Sequence, residues 1–205
     1  MTKIDLKKEL KQLYNPSKTE ISVVEVPVMN FLMVDGRGDP NTSLDYQAAI
    51  ETLFSLSYTL KFMLKKAGGD DYAVMPLEGL WWADDVHQPD LFSNKDAWYW
   101  TAMMMQPPLI TREMVKVATD DVRRKKAPAA LDKVRFERFA EGWAAQIMYI
   151  CPFADERPTI DRIHAHIEES GYKLTGKHHE IYLSDFRRAA PEKLKTVIRQ
   201  PFRKS

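Results

Sequence analysis

Phe31-Leu32-Met33-Val34, closed by Asp35-Gly36-Arg37-Gly38-Asp39-Pro40, decides the fold because its setting occurs twice in the chain. β-Branched residues gather before it, at Ile21, Val23, Val24 and Val26. One long strand with a break or bulge at Pro27 is therefore expected. A helix follows the turn: Thr42 with Asp45 reads as a capping box, and Ile50, Leu53, Phe54, Ser57, Leu60 and Leu64 give a buried stripe that ends at Gly68-Gly69. The order returns at Ile147-Met148-Tyr149-Ile150. There the helix begins near Pro158, carries Ile160, Ile163, His164 and Ile167 in register, and stops at Gly171.

Each half then continues with two strands, read at 79–83 and 96–106 in the first and at 178–183 and 195–199 in the second. The last strand ends alike in both, Met105-Gln106-Pro107 and Arg199-Gln200-Pro201. The expectation is an α+β fold of two pseudo-symmetric βαββ repeats, spanning about 20–110 and about 130–201. They would form a curved antiparallel sheet with helices on one face and a central ligand cleft. The joining helix starts at Thr111 and turns Val115, Ala118 and Val122 inward. Further strands are read at 72–75, 134–140 and 142–150, and 84–94 as a long loop or flap. Residues 1–19, with Leu6, Leu10 and Leu13 at helical spacing, read as an arm or short helix before a ligand-binding domain over 20–205.

Composition narrows the function. A chain of 205 residues, 44% hydrophobic, can bury a sizeable core. Lys+Arg 30 against Asp+Glu 29 leaves no basic field, so no nucleic-acid partner is expected. The basic run Arg123-Arg124-Lys125-Lys126 falls where a helix ends, and complements its dipole. Cys151 is the one cysteine, which excludes an internal disulfide and fits a reducing compartment. No apolar run approaches the ~18 residues of a membrane span. A cytoplasmic protein without membrane, metal, cofactor or required protein partner is expected.

Five tryptophans concentrate the chemistry. In Trp98-Tyr99-Trp100 alternation puts both tryptophans on one face, whereas Trp81 and Trp82 point oppositely. With Trp143 and the soft side chains around Met104, they read either as an aromatic cage for flat or cationic ligands or as core filling. Glu180, in His178-His179-Glu180-Ile181-Tyr182-Leu183, alternates with Ile181 and Leu183. If those two contact the helices, Glu180 faces a cleft as an anionic anchor or general base; otherwise it is a surface glutamate. Glu78 is the nearest acidic residue of the first half, and equally suits turn amides. His178 and His179 face opposite ways in a strand and His164 and His166 diverge on a helix, so neither pair chelates. Cys151 has no neighbouring base.

Several blocks together resemble the GyrI-like small-molecule-binding proteins of the SOUL/GyrI superfamily. They are 26–40, Pro76-Leu77-Glu78-Gly79-Leu80-Trp81-Trp82, Trp98-Tyr99-Trp100-Thr101 with Gln106-Pro107, 179–185, and the tail 190–201. The resemblance covers nearly the whole chain beyond residue 20. It implies a duplicated βαββ fold whose cleft binds hydrophobic, polyaromatic or cationic compounds, with Glu180 at the position that meets the ligand's charge. Some stand-alone members are similar to hydrolases that open the cyclopropane of DNA-alkylating natural products. In such an enzyme Glu180 would activate water and Tyr182 would support or protonate the product. No DNA-binding module is read ahead of the domain, so a ligand-gated transcription role is not expected. Cys151 stands where a glycine is expected before Pro152.

Overall fold

A computed structural model describes residues 3–83, 94–185 and 188–204, so the expected flap falls outside the described residues except for Asn94. The strands are β1 (Lys3–Ile4), β2 (Ser22–Val26), β3 (Met29–Arg37), β4 (Asp71–Tyr72), β5 (Leu77–Trp82), β6 (Tyr99–Gln106), β7 (Arg135–Phe139), β8 (Gly142–Ile150), β9 (Tyr172–Leu174), β10 (His178–Tyr182) and β11 (Lys195–Lys204). The helices are α1 (Leu6–Glu9), α2 (Lys11–Tyr14), α3 (Leu44–Lys66), α4 (Arg112–Lys125) and α5 (Arg157–Glu169). Both βαββ repeats are present, as β3-α3-β5-β6 and β8-α5-β10-β11, with α4 between them. The chain divides into two compact units, Met1–Leu6 with Met29–Phe139 and Lys7–Val28 with Ala140–Ser205.

In the first unit an antiparallel sheet runs β5-β6-β3-β7, and the short β1 pairs in parallel with β4. β6 reads Trp100-Thr101-Ala102-Met103-Met104-Met105 without polar alternation because both its faces are covered. The 23-residue α3 packs on β3 and β6, and α4 packs on α3. Its N-cap is Ser43, whose hydroxyl accepts from Tyr46 N–H at 3.2 Å, and not the expected Thr42. Its buried arc is Tyr46, Ala49, Leu53, Leu56, Ser57 and Leu60. Ile50, Phe54 and Leu64, expected in that arc, lie at its edge and stay partly exposed. In α4, Thr111 caps Met114 N–H and Val115, Ala118 and Val122 are buried, as expected.

In the second unit the antiparallel order is β2-β8-β11-β10, and β9 pairs with the far end of β11. β11 runs past the expected end at residue 199 because Pro201, which lacks an N–H, still offers its carbonyl to Thr175 N–H at 3.0 Å. The two edge strands are exchanged between repeats. β2 leads into β3 in sequence yet pairs with β8, while β7 leads into β8 yet pairs with β3. Pro27 ends one strand and the next begins at Met29, so the expected break is where the chain passes from one unit to the other.

The pairing corrects one detail of the repeat. Phe31 opposes Met105 and Gln146 opposes Arg199, so counting from Gln106 and Gln200, residue 31 corresponds to 146 and not to 147. By the same count Glu180, opposite Ile198, occupies the position of Leu77, opposite Met104. Glu78 corresponds to Ile181. The two glutamates therefore point to opposite faces of their sheets and are not symmetry mates.

Candidate functional site

The helix face of the first unit carries the tryptophans. Trp81 on β5 and Trp100 on β6 oppose each other directly. Tyr46 of α3 sits over both, with ring centroids 5.5 Å from Trp81 and 4.9 Å from Trp100. Trp98, just before β6, meets Trp81 edge-on at 5.7 Å and holds Lys95 Nζ 5.5 Å from its own ring. Two glycines make room for these rings. A Cβ on Gly36, the residue opposite Trp100, would stand 2.1 Å from the indole Cζ2, and one on Gly79 would stand 2.7 Å from Trp81 Nε1. Met104 is fully buried on this face, where its Sδ accepts from Ser57 Oγ at 3.7 Å. Trp100 Nε1 is buried with no hydrogen-bond partner among the described residues.

Trp82 occupies the opposite face. It stacks on Tyr99 at 5.8 Å with planes 16° apart, and Arg37 lies 5.1 Å from the Tyr99 ring centroid. Trp143 belongs to β8 of the second unit and is 52% exposed.

Glu180 lies on the helix face of the second unit. His164 of α5 approaches Gln200 at 3.4 Å, and Gln200 shares the face of Ile198 and hence of Glu180. Ile181 and Val197 point the other way. That corrects the expectation that Ile181 contacts the helix: its face meets the N-terminal arm instead, where Gln146 Nε2 reaches Gln12 O at 2.6 Å and Arg199 Nη2 reaches Leu13 O at 2.8 Å. Glu180 is only 7% exposed. Its Oε1 lies 3.2 Å from His178 Nε2, and no lysine or arginine among the described residues bonds to it. His178 Nδ1 and Thr196 Oγ1 are buried on the same face without a hydrogen-bond partner among the described residues. Tyr182 meets Phe153 edge-on at 5.6 Å and stands opposite Thr196. Burial pushes the His164 imidazole down from its usual pKa, partly offset by Gln200 and with His178 adding to the depression.

Residues 19–203 match the GyrI-like small molecule binding domain. The chain belongs to that family.

At 40% identity and a TM-score of 0.89 it is similar to an uncharacterized conserved protein from Listeria innocua, covering 98% of this chain and 100% of that one. A hydrolase from Listeria innocua is 41% identical over the same shares, with a TM-score of 0.85. The C-terminal domain of EcmrR shares the fold alone, at 11% identity and a TM-score of 0.56 over 91% of this chain and 98% of that one. No curated protein matches the chain. Among the described residues, no helix is long and apolar enough to cross a membrane.

The other face of this GyrI-like domain's second unit holds a charged network that the sequence reading passed over. His179, Arg199, Gln146 and Ser22 oppose one another in a single row across β10, β11, β8 and β2. Glu141, just ahead of β8, binds Arg199 Nη1 at 3.0 Å and His179 Nδ1 at 2.9 Å. Burial raises the Glu141 carboxyl, but His179 and then Arg199 outweigh that cost and hold it at about 2. Arg199 Nε completes the row by donating to Gln146 Oε1 at 2.8 Å. The available signal was an arginine, a histidine and a glutamine at same-face positions beside Val197, Ile181 and Met148.

Proposed function

We propose that the protein binds hydrophobic, planar polyaromatic or cationic small molecules; Glu180 is the anionic contact offered by the second unit, and Trp81, Trp98 and Trp100 are the aromatic candidates of the first, each unit taken by itself. One observation carries this reading: Glu180 is almost buried, yet its one side-chain partner among the described residues is His178. A nearly buried carboxylate without an arginine or lysine partner is a place where a ligand's positive charge can be held. Met104, Trp82 and Trp143, also ligand-binding candidates in the sequence, contribute less in this reading. Met104 is engaged with Ser57 inside the core, Trp82 lies on the other face of its sheet, and Trp143 is half exposed. Drug or toxin sequestration in the cytoplasm is the corresponding role. Titration of a planar aromatic cation against tryptophan fluorescence tests it: saturable quenching supports binding, and an unchanged spectrum at high ligand counts against it.

The 41% identity to a hydrolase from Listeria innocua favours a second reading. In it Glu180 takes a proton from water, and the water oxygen attacks the methylene of a spirocyclopropane. The cleaved C–C bond delivers its electron pair to the conjugated carbonyl, and Tyr182 protonates the resulting oxyanion. The net change is addition of one water. Incubation with a spirocyclopropane substrate and mass analysis for that addition tests it. Turnover undiminished in Glu180→Gln would remove Glu180 as the base.

A further inference from the structure

We propose that α3 is the contact surface of a homodimer, in which it packs antiparallel against α3 of a second copy about a twofold axis at Tyr58.

The starting point is an aromatic row on the outer side of the helix. β3, β6 and α4 take other parts of its circumference. Phe54, Tyr58 and Phe62 recur every four residues and stack in series, with ring centroids 6.4 and 6.3 Å apart and planes 25° apart in both pairs. Tyr58 is 46% and Phe62 51% exposed. A contiguous apolar row of this kind, bounded by charged residues, marks an interaction surface, and Phe and Tyr are residues that interface cores favour.

The charges that bound the row say what covers it. Glu51 and Lys65 are both exposed and lie seven residues either side of Tyr58. Seven residues is about two turns, so each stands about 10 Å along the axis and about 20° from the direction of Tyr58. The face therefore reads acid, Phe, Tyr, Phe, base, and reversing it exchanges the charges while keeping the rings. A twofold interface needs that kind of self-complementarity. An antiparallel second copy centred on Tyr58 sets Glu51 of each level with Lys65 of the other, and Phe54 level with Phe62. A parallel pair would set Glu51 against Glu51 and Lys65 against Lys65.

Both charges are available for this. Glu51 makes no ion pair among the described residues. Lys65 Nζ lies 3.3 Å from Asp71 Oδ2, but Asp71 also holds Lys61 Nζ at 3.2 Å, so Asp71 stays paired when Lys65 turns to the second copy. A lipid surface fits this face less well, because Glu51 would be pressed against the headgroups.

The test is sedimentation of the full-length protein from about 1 µM to about 500 µM, the range in which an interface of one helix pair associates. A monomer–dimer equilibrium is expected. Tyr58→Glu places two like charges on the axis and should raise the dimer Kd at least about tenfold. Glu51→Lys and Lys65→Glu should each weaken the dimer, since each sets like charges level, and the double variant Glu51→Lys/Lys65→Glu should restore it. Thermal unfolding checks that every variant is folded, and Tyr58→Glu with Glu51→Lys carries the test if Lys65→Glu is not. A wild type that stays monomeric throughout overturns the proposal and leaves the row to a different protein. A dimer that folded Tyr58→Glu leaves intact overturns it as well, and so does a folded double variant that stays as weak as the single ones.

Discussion

Glu141 and Arg199 face each other at 3.0 Å, each side chain 1% exposed, and together they fix the arm-covered face of the second unit's sheet. The guanidinium is shared: Nη1 holds Glu141, Nε holds Gln146 and Nη2 holds the carbonyl of Leu13. Because Leu13 belongs to α2, the N-terminal arm is anchored through this one side chain and through the Gln146 bond to Gln12. Breaking a buried ion pair from one side leaves the other charge uncompensated, at about 3–5 kcal/mol. Glu141→Gln is expected to lower stability to denaturant by about that much. A loss below roughly 1 kcal/mol would place the pair among surface ion pairs.

The same carboxylate sets an acid limit. Glu141 is held at about 2 in the folded state, below the ordinary 4.5, so folding is favoured by its ionised form. That contribution is fully present above the ordinary carboxylate range and is lost as pH falls from there through about 2. Stability measured by denaturant from neutral pH downward should decline over this window in the wild type. The decline should be shallower in Glu141→Gln, whose amide does not titrate.

Gly36 and Trp100 make a second fixed relationship. Trp100 lies across Gly36, the residue it opposes, so that a Cβ there would meet the ring at 2.1 Å. Gly36→Ala is expected to displace Trp100 and cost about 1–3 kcal/mol or more by overpacking. A changed tryptophan emission maximum together with a lowered unfolding midpoint would record it; an unaltered spectrum would mean the ring has somewhere else to go.

Much of the fold was legible because β-branched runs, Gly-Pro turns and helix periods each repeat. Residues 31–34 and 147–150, the paired Gln-Pro endings and the α4 stripe all led to the observed elements. Pairing was not legible. Nothing in 22–26 or 135–139 says that each edge strand joins the other repeat, since partner choice depends on contacts distant in sequence. The equivalence of Glu180 to Leu77, and not to Glu78, depends on strand register and was not legible either. The site was half visible. Alternation correctly grouped His178, Glu180 and Tyr182, but which side α5 covers was invisible because the arm supplies apolar cover to the other side. The Glu141 network hid for a related reason: buried charges read as surface ones until their partners are known.

Glu180 as the anionic contact is the central claim. It is tested most directly by titrating wild type and Glu180→Gln with a planar aromatic cation, pyrenylmethyl-trimethylammonium, and following tryptophan quenching. Loss of the buried charge should weaken binding at least about tenfold, the factor equivalent to 1.4 kcal/mol. A neutral pyrene should bind both proteins alike. Equal affinity of the cation for the two proteins would contradict the claim.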